Sequence, residues 1–154
     1  MKAVLDVGQF VSATIRGRGH PAQILAAWRA EKFELVSSLP ILDDLRRVLF
    51  YPHIRKRHQW SDEEIHLFVD SIATAATLTS GHLDVAVVKE DPSDDKVLAC
   101  AVEGEVDFIV ASDEHLAKLE SFSGIPIVPP RRFLELLQAQ QEEKEAREQE
   151  SPNK

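Results

Sequence analysis

Four aspartates fall where a strand should end or a helix should begin: Asp6, Asp44, Asp94 and Asp113, with Asp95 adjoining the third. Carboxylates without a neighbouring His–Cys cluster offer hard oxygen donors, the kind that suit Mg²⁺ or Mn²⁺. Such ions activate water and neutralise charge building on a phosphodiester. The chemistry this points to is metal-assisted hydrolysis. Other donors fall away on spacing. The single cysteine, Cys100, excludes an internal disulfide and a multi-Cys zinc site. His53, His58 and His66 lack both HExxH spacing and a Cys partner, and they read as surface residues.

Helical geometry discriminates within the acidic pairs. At about 100° per residue, Ile41, Leu42, Leu45, Val48 and Leu49 form one apolar arc, with Asp44 at its rim and Asp43 pointing away. Asp94 lies in line with Val97, Leu98 and Ala101, whereas Asp95 is turned aside by about 100°. An unpaired buried carboxylate is costly, so several converging acids require a cation or a raised pKa.

The elements that must position these acids alternate between strand and helix. Ala3-Val4-Leu5 is a short strand closed by Asp6, and Pro21 opens a helix carrying Ile24, Leu25 and Trp28. Phe33 to Val36 is read as a brief strand or a turn. Ser38 caps a helix that Pro52 shuts off, and Ser61-Asp62-Glu63-Glu64 has the form of a capping box. Asp84 to Val88 reads as a buried strand, and Asp91-Pro92-Ser93 then turns the chain into a helix ending near Gly104. Phe108-Ile109-Val110 is a further strand, Ser112-Asp113 opens a helix through Leu119, and Ile125 to Val128 makes the last strand before a helix from Pro130. Strands separated by helices predict right-handed crossovers, a mostly parallel sheet and a three-layer α/β sandwich. Ligands of such sheets sit beyond the carboxyl ends of the strands, where Asp6, Asp113 and the turn from Asp91 to Asp95 are expected.

The chain has 154 residues, 18 Lys+Arg and 26 Asp+Glu, for a formal charge of −8. That length fits one domain with an ordinary core. We assign it to residues 1–137, followed by a charged tail, 138–154, read as a solvated, frayed helix or a disordered segment. No apolar run approaches the ~20 residues that span a bilayer, and Asp6 interrupts any secretory leader, so a cytoplasmic location is expected. The acidic total argues against coating nucleic acid by bulk charge. A local basic set remains: Arg46, Arg47, Arg55, Lys56 and Arg57, with Arg16 and Arg18 after the first acid. Phosphate contacts need such residues. Trp28 and Trp60 are read as packing residues.

These residues resemble the PIN-domain family, and within it the toxin-like single-domain ribonucleases of bacterial toxin–antitoxin systems, over Lys2 to roughly Leu137. Asp6-Val7-Gly8-Gln9-Phe10-Val11-Ser12-Ala13 is similar to the opening D-T-N-x-x-x-S-A motif. The helix from Ile41 to Leu49, the segment from Asp91 to Leu98, and Val110-Ala111-Ser112-Asp113 match the other three acidic motifs in order. The resemblance implies a PIN-like fold and a divalent-metal-dependent endoribonuclease using Mg²⁺ or Mn²⁺. Asp6, Asp44, Asp94 and Asp113 would form its acidic cluster, with Asp95 a close substitute. It further implies an RNA substrate, an antitoxin partner and a homodimer, the last through apolar surface at Leu45, Val48, Leu49, Phe50 and Tyr51. Val7 and Gly8 stand where the family pattern has Thr and Asn, and Asp44 where Glu is usual. Those departures leave a second reading open, a catalytically degenerate PIN-like domain that binds RNA or protein without cutting. A receiver or aspartyl phosphatase is weaker, because Asp6-Val7-Gly8 lacks a second acid two residues on.

Overall fold

In the computed structural model, which describes residues 1–86 and 92–150, the first strand is β1 (Lys2–Leu5). Ala3, Val4 and Leu5 are all buried, as a strand covered on both faces requires. Alternate side chains enter different cores: Ala3 and Leu5 join one cluster, Val4 the other. Leu35 and Val36 of β2 (Glu34–Ser37) divide in the same way, as do Val110 and Ile109 of β4 (Phe108–Val110). The result is the expected three-layer α/β sandwich. On one face lie α1 (Val7–Ile15), α2 (His20–Arg29), α3 (Leu39–Leu49), α5 (Asp62–Ala75) and the start of α8 (Pro130–Glu150). On the other lie α6 (Pro92–Glu103) and the short α7 (Glu114–Ala117).

With β3 (Thr77–Leu78), β5 (Ser121–Phe122) and β6 (Ile125–Val128), the sheet runs in the order β3-β2-β1-β4-β6-β5. Every pairing is parallel except β5 with β6. That hairpin turns on Ser123 and Gly124, whose φ values of 50° and 79° are both positive, as its two-residue loop demands. The chain leaves β1 for β2 on one side and reaches β4 on the other, so β1 and β4 flank the crevice at which the strand order reverses.

Local signals act as the sequence suggests at most helix starts. The Ser38 hydroxyl accepts from Ile41 N–H, and Ser61 with Glu64 closes a capping box at α5. Gly104 serves close packing rather than a turn: a Cβ there would lie 2.6 Å from Val36 Cγ1.

Several expectations are corrected. Asp84, Val85 and Ala86 lie outside any strand, while Val87, Val88 and Asp91 fall outside the described residues. The sheet position beside β2 is instead taken by Thr77–Leu78, a segment too short to carry an apolar pattern. Pro52 does not merely end α3 but supplies the first residue of α4 (Pro52–His58), a basic helix. His58 is buried rather than on the surface. Its Nδ1 accepts from Trp60 N–H at 2.9 Å in the α4–α5 connection, and its Nε2 donates to Leu49 O at 2.9 Å at the end of α3. The apolar patch expected from Leu45 to Tyr51 is smaller than that run: Leu45 and Leu49 are fully buried, Val48 and Phe50 are partly buried against the core, and Tyr51 is exposed. The charged tail continues α8 as helix to Glu150, with side-chain pairs such as Gln138–Glu142 and Gln141–Glu145. Phe133 anchors the start of that helix through edge contacts with Phe33 and Phe108. Trp28 and Trp60 pack against the core as read.

Candidate active site

The β1–β4 ladder builds the centre of the site. Leu5 pairs with Val110, and Asp6 N–H continues the ladder to Val110 O at 3.1 Å. The strand therefore delivers Asp6 to the crevice as the N-cap of α1, where its Oδ1 accepts from Gln9 N–H at 3.1 Å. Asp6 is 5% exposed, and burial pushes its carboxyl up to about 6. Hydrogen bonds from Gln9 pull against that rise, while the charge of Asp113 adds to it. Asp113 is the half-buried N-cap of α7, and its Oδ1 accepts from His115 N–H at 2.7 Å.

Asp44 and Asp94 arrive from two helices. Both are buried, whereas Asp43 is exposed and Asp95 half-buried, so the faces follow the helical wheel. Asp44 does not sit alone. Lys96 Nζ lies 2.9 Å from its Oδ1 and 3.0 Å from its Oδ2, and Arg47 Nη2 lies 3.0 Å from Oδ1.

All four acids line one cavity of about 380 Å³, together with Gly8, Gln9, Val97 and Ser112. Asp95 is not among its walls. A larger hollow of about 640 Å³, between the turn at Glu31-Lys32 and the outer part of α8, touches none of these acids and lacks their chemistry. Within the acidic cavity Gln9 Nε2 donates to Ser112 Oγ at 3.1 Å, while its buried Oε1 has no hydrogen-bond partner among the described residues. A Cβ at Gly8 would lie 3.5 Å from Asp6 Oδ1, so glycine leaves open space against that carboxylate.

The basic residues divide into two sets. Arg46 is bound by Asp70 and His66, and Arg55 by Asp62 and Trp60 O, with its guanidinium over the Phe50 ring. Arg47 belongs to the Asp44 cluster. Arg16, Arg18, Lys56 and Arg57 are exposed. Sequence reasoning missed Lys96, Gln9 and Ser112. Lys96 is two positions beyond Asp94, about 200° around α6, and so reads as solvent-facing. Only the packing of α6 against α3 brings it to Asp44.

The sequence matches the PIN domain family over residues 2–115. The chain belongs to the PIN-domain family. PIN domains are generally nucleases and generally use divalent metals. The fold of this PIN domain is similar to a chain in the crystal structure of VapBC2 from Rickettsia felis bound to a DNA fragment from their promoter. The TM-score is 0.53 at 10% identity, covering 82% of this chain and 97% of that one, a likeness of fold alone. No curated protein matches the sequence.

Among the described residues, no three His, Cys, Asp or Glu side chains cluster closely enough to form a metal cage. The donor chemistry nevertheless fits a hard cation. Mg²⁺ keeps several waters and is usually bound through one or two carboxylates. The cavity of this PIN domain offers Asp6 in the field of Asp113, with the free acceptor Gln9 Oε1 on the same wall.

Proposed function

We propose that this PIN domain is a divalent-metal-dependent endoribonuclease whose chemistry takes place in the cavity of Asp6, Asp44, Asp94 and Asp113. The observation that carries the reading is the convergence of four carboxylates from four separate elements on one cavity at the sheet's reversal point. Structural need does not explain that convergence, since Asp6 bears a burial penalty there. Asp6 and Asp113 would hold Mg²⁺ or Mn²⁺, with Asp94 lining the same cavity and Asp95, outside it, as the substitute for Asp94. The ion would supply charge neutralisation at the phosphodiester and acidify water. The protein's own contribution is to fix the carboxylates: the α1 and α7 N-termini hold Asp6 and Asp113 by backbone N–H groups, and Gln9 ties Ser112 to the same wall. RNA would meet the exposed Arg16, Arg18, Lys56 and Arg57, while Arg46 and Arg55 hold the fold through their ion pairs.

Family membership and the likeness of fold to a VapBC2 chain favour a toxin–antitoxin setting, and the reading takes an antitoxin as protein partner and the cytoplasm as location. Among the described residues, no helix is long and apolar enough to cross a membrane. The competing reading, an RNA-binding domain that does not cut, is favoured by the two cations on Asp44 and by the bare Gly8 beside Asp6. Incubation of purified protein with single-stranded RNA and Mn²⁺ separates them. Cleavage that EDTA stops and Asp113→Asn abolishes supports the nuclease. RNA bound but left intact under the same conditions supports the degenerate domain.

A further inference from the structure

The carboxylates that line the cavity differ in their partners. Asp6 and Asp113 bring two carboxylates, and the second raises the proton affinity of the first. Elsewhere on the cavity wall Asp94 adds a further carboxylate, and Asp44 is met by two cations, Lys96 and Arg47. Asp44 is 2% exposed and needs a partner, but one bound ammonium would satisfy it. The Lys96 side chain is 39% exposed, so it has not been drawn into the interior by burial of its own. An ammonium has three N–H donors. Two of them are accounted for by Oδ1 and Oδ2 of Asp44, and among the described residues the third has no further acceptor.

Resting on the nuclease reading above, we propose that Lys96 is the group that binds the phosphodiester, and that Asp44 holds its ammonium at the edge of the cavity for that purpose. The substrate's anion then meets Lys96 beside Asp44, while the cation sits with Asp6 and Asp113. Asp44 acts as the anchor of Lys96 and not as a metal ligand. A buried carboxylate gripping both faces of an ammonium fixes a side chain whose four-carbon stem would otherwise be loose.

The test compares wild type, Lys96→Met and Lys96→Arg for Mn²⁺ affinity by calorimetry. Affinity for a labelled single-stranded oligouridylate is measured in parallel by fluorescence anisotropy in Ca²⁺ buffer across a salt series. Lys96→Met should weaken RNA binding about tenfold, the loss of one charged hydrogen bond. It should also lower the log–log salt slope by roughly 0.7, the value for one phosphate contact on a single strand. Its Mn²⁺ affinity should match wild type, and Lys96→Arg should restore most of the RNA affinity. Tighter Mn²⁺ binding by Lys96→Met with RNA affinity unchanged overturns the inference, because Lys96 would then be a cation occupying a metal site at Asp44. Unchanged values on both axes overturn it as well. Wild type that binds neither Mn²⁺ nor RNA removes the nuclease reading itself, a result distinct from either of these. Where Lys96→Met does not fold, Lys96→Gln, whose amide still donates to Asp44, takes its place in the comparison.

Discussion

Asp6 lies in the field of Asp113 because the last residues of two parallel strands, Leu5 and Val110, are paired in register. A shift of that register by one residue would turn Asp6 to the opposite face and separate the carboxylates. The site is therefore a property of the ladder before it is a property of the loops.

The raised carboxyl of Asp6 makes a prediction about stability. Asp6 titrates near 6 in the folded protein and in the ordinary carboxylate range when unfolded, so the native state holds its proton more tightly. Stability from this group is present at pH below the unfolded value and is lost as pH rises through about 6. The difference between the two states corresponds to roughly 3 kcal/mol. Asp6→Asn removes the ionisation and keeps the α1 cap, since Asn caps as well as Asp. In EDTA at pH 7 the variant should melt higher than wild type, and the gap should close by pH 4. Denaturant melts at the two pH values check this, and a variant less stable at pH 7 would refute it.

Metal should reverse that penalty. A cation between Asp6 and Asp113 removes their repulsion and binds only the folded chain, so millimolar Mg²⁺ or Mn²⁺ should raise the melting temperature. EDTA should return it to the starting value. Asp113→Asn should abolish most of the shift, whereas Asp95→Asn, outside the cavity walls, should leave it in place. A thermal shift assay on the three proteins decides the matter, and an equal response in all three would locate the ion elsewhere.

The fold and the acids were legible for different physical reasons. Buried parallel strands such as Ala3-Val4-Leu5 read as continuous apolar runs, and caps such as Ser38 and Ser61 announce their helices. Asp44 and Asp94 were separable from Asp43 and Asp95 because burial on a helix follows its period. Thr77–Leu78 could not be read, since a two-residue strand has no period. His58 was misread because its burial comes from the tertiary meeting of α4 with Leu49 and Trp60. Lys96 was invisible for the same kind of reason: a charge on the polar side of its helix reads as solvated until a second helix meets it.

Gly104 should be intolerant of even a methyl group. A Cβ there would approach Val36 Cγ1 to 2.6 Å and Cys100 O to 3.2 Å, and Val36 is a fully packed β-branched residue with little freedom to move. Gly104→Ala should destabilise the domain by about 1–3 kcal/mol, the cost of overpacking a core. The companion Val36→Ala should recover part of that loss in the double variant, because it vacates the colliding atom. Urea melts of the single and double variants give the coupling, and additive effects would show that the strain is relieved elsewhere.

Gly8 poses the opposite case, a glycine whose missing side chain leaves room at the site. Its Cβ direction ends 3.5 Å from Asp6 Oδ1, an ordinary contact distance, so a side chain fits without displacing the carboxylate. Gly8 also sits in the first turn of α1, where replacement of glycine favours the helix by a few tenths of a kcal/mol. Val7→Thr with Gly8→Asn adds a hydroxyl and an amide next to Asp6, the kind of outer partner whose presence is typically worth ~10–100-fold in metal affinity or activity. The double variant should therefore bind Mn²⁺ more tightly and cleave single-stranded RNA faster than wild type. Stability separates this from a trivial gain: a higher melting temperature with unchanged Mn²⁺ affinity would mean that the new groups serve the helix alone. Faster cleavage that survives Asp113→Asn would belong to a contaminating ribonuclease, because that substitution removes one of the two carboxylates assigned to the ion.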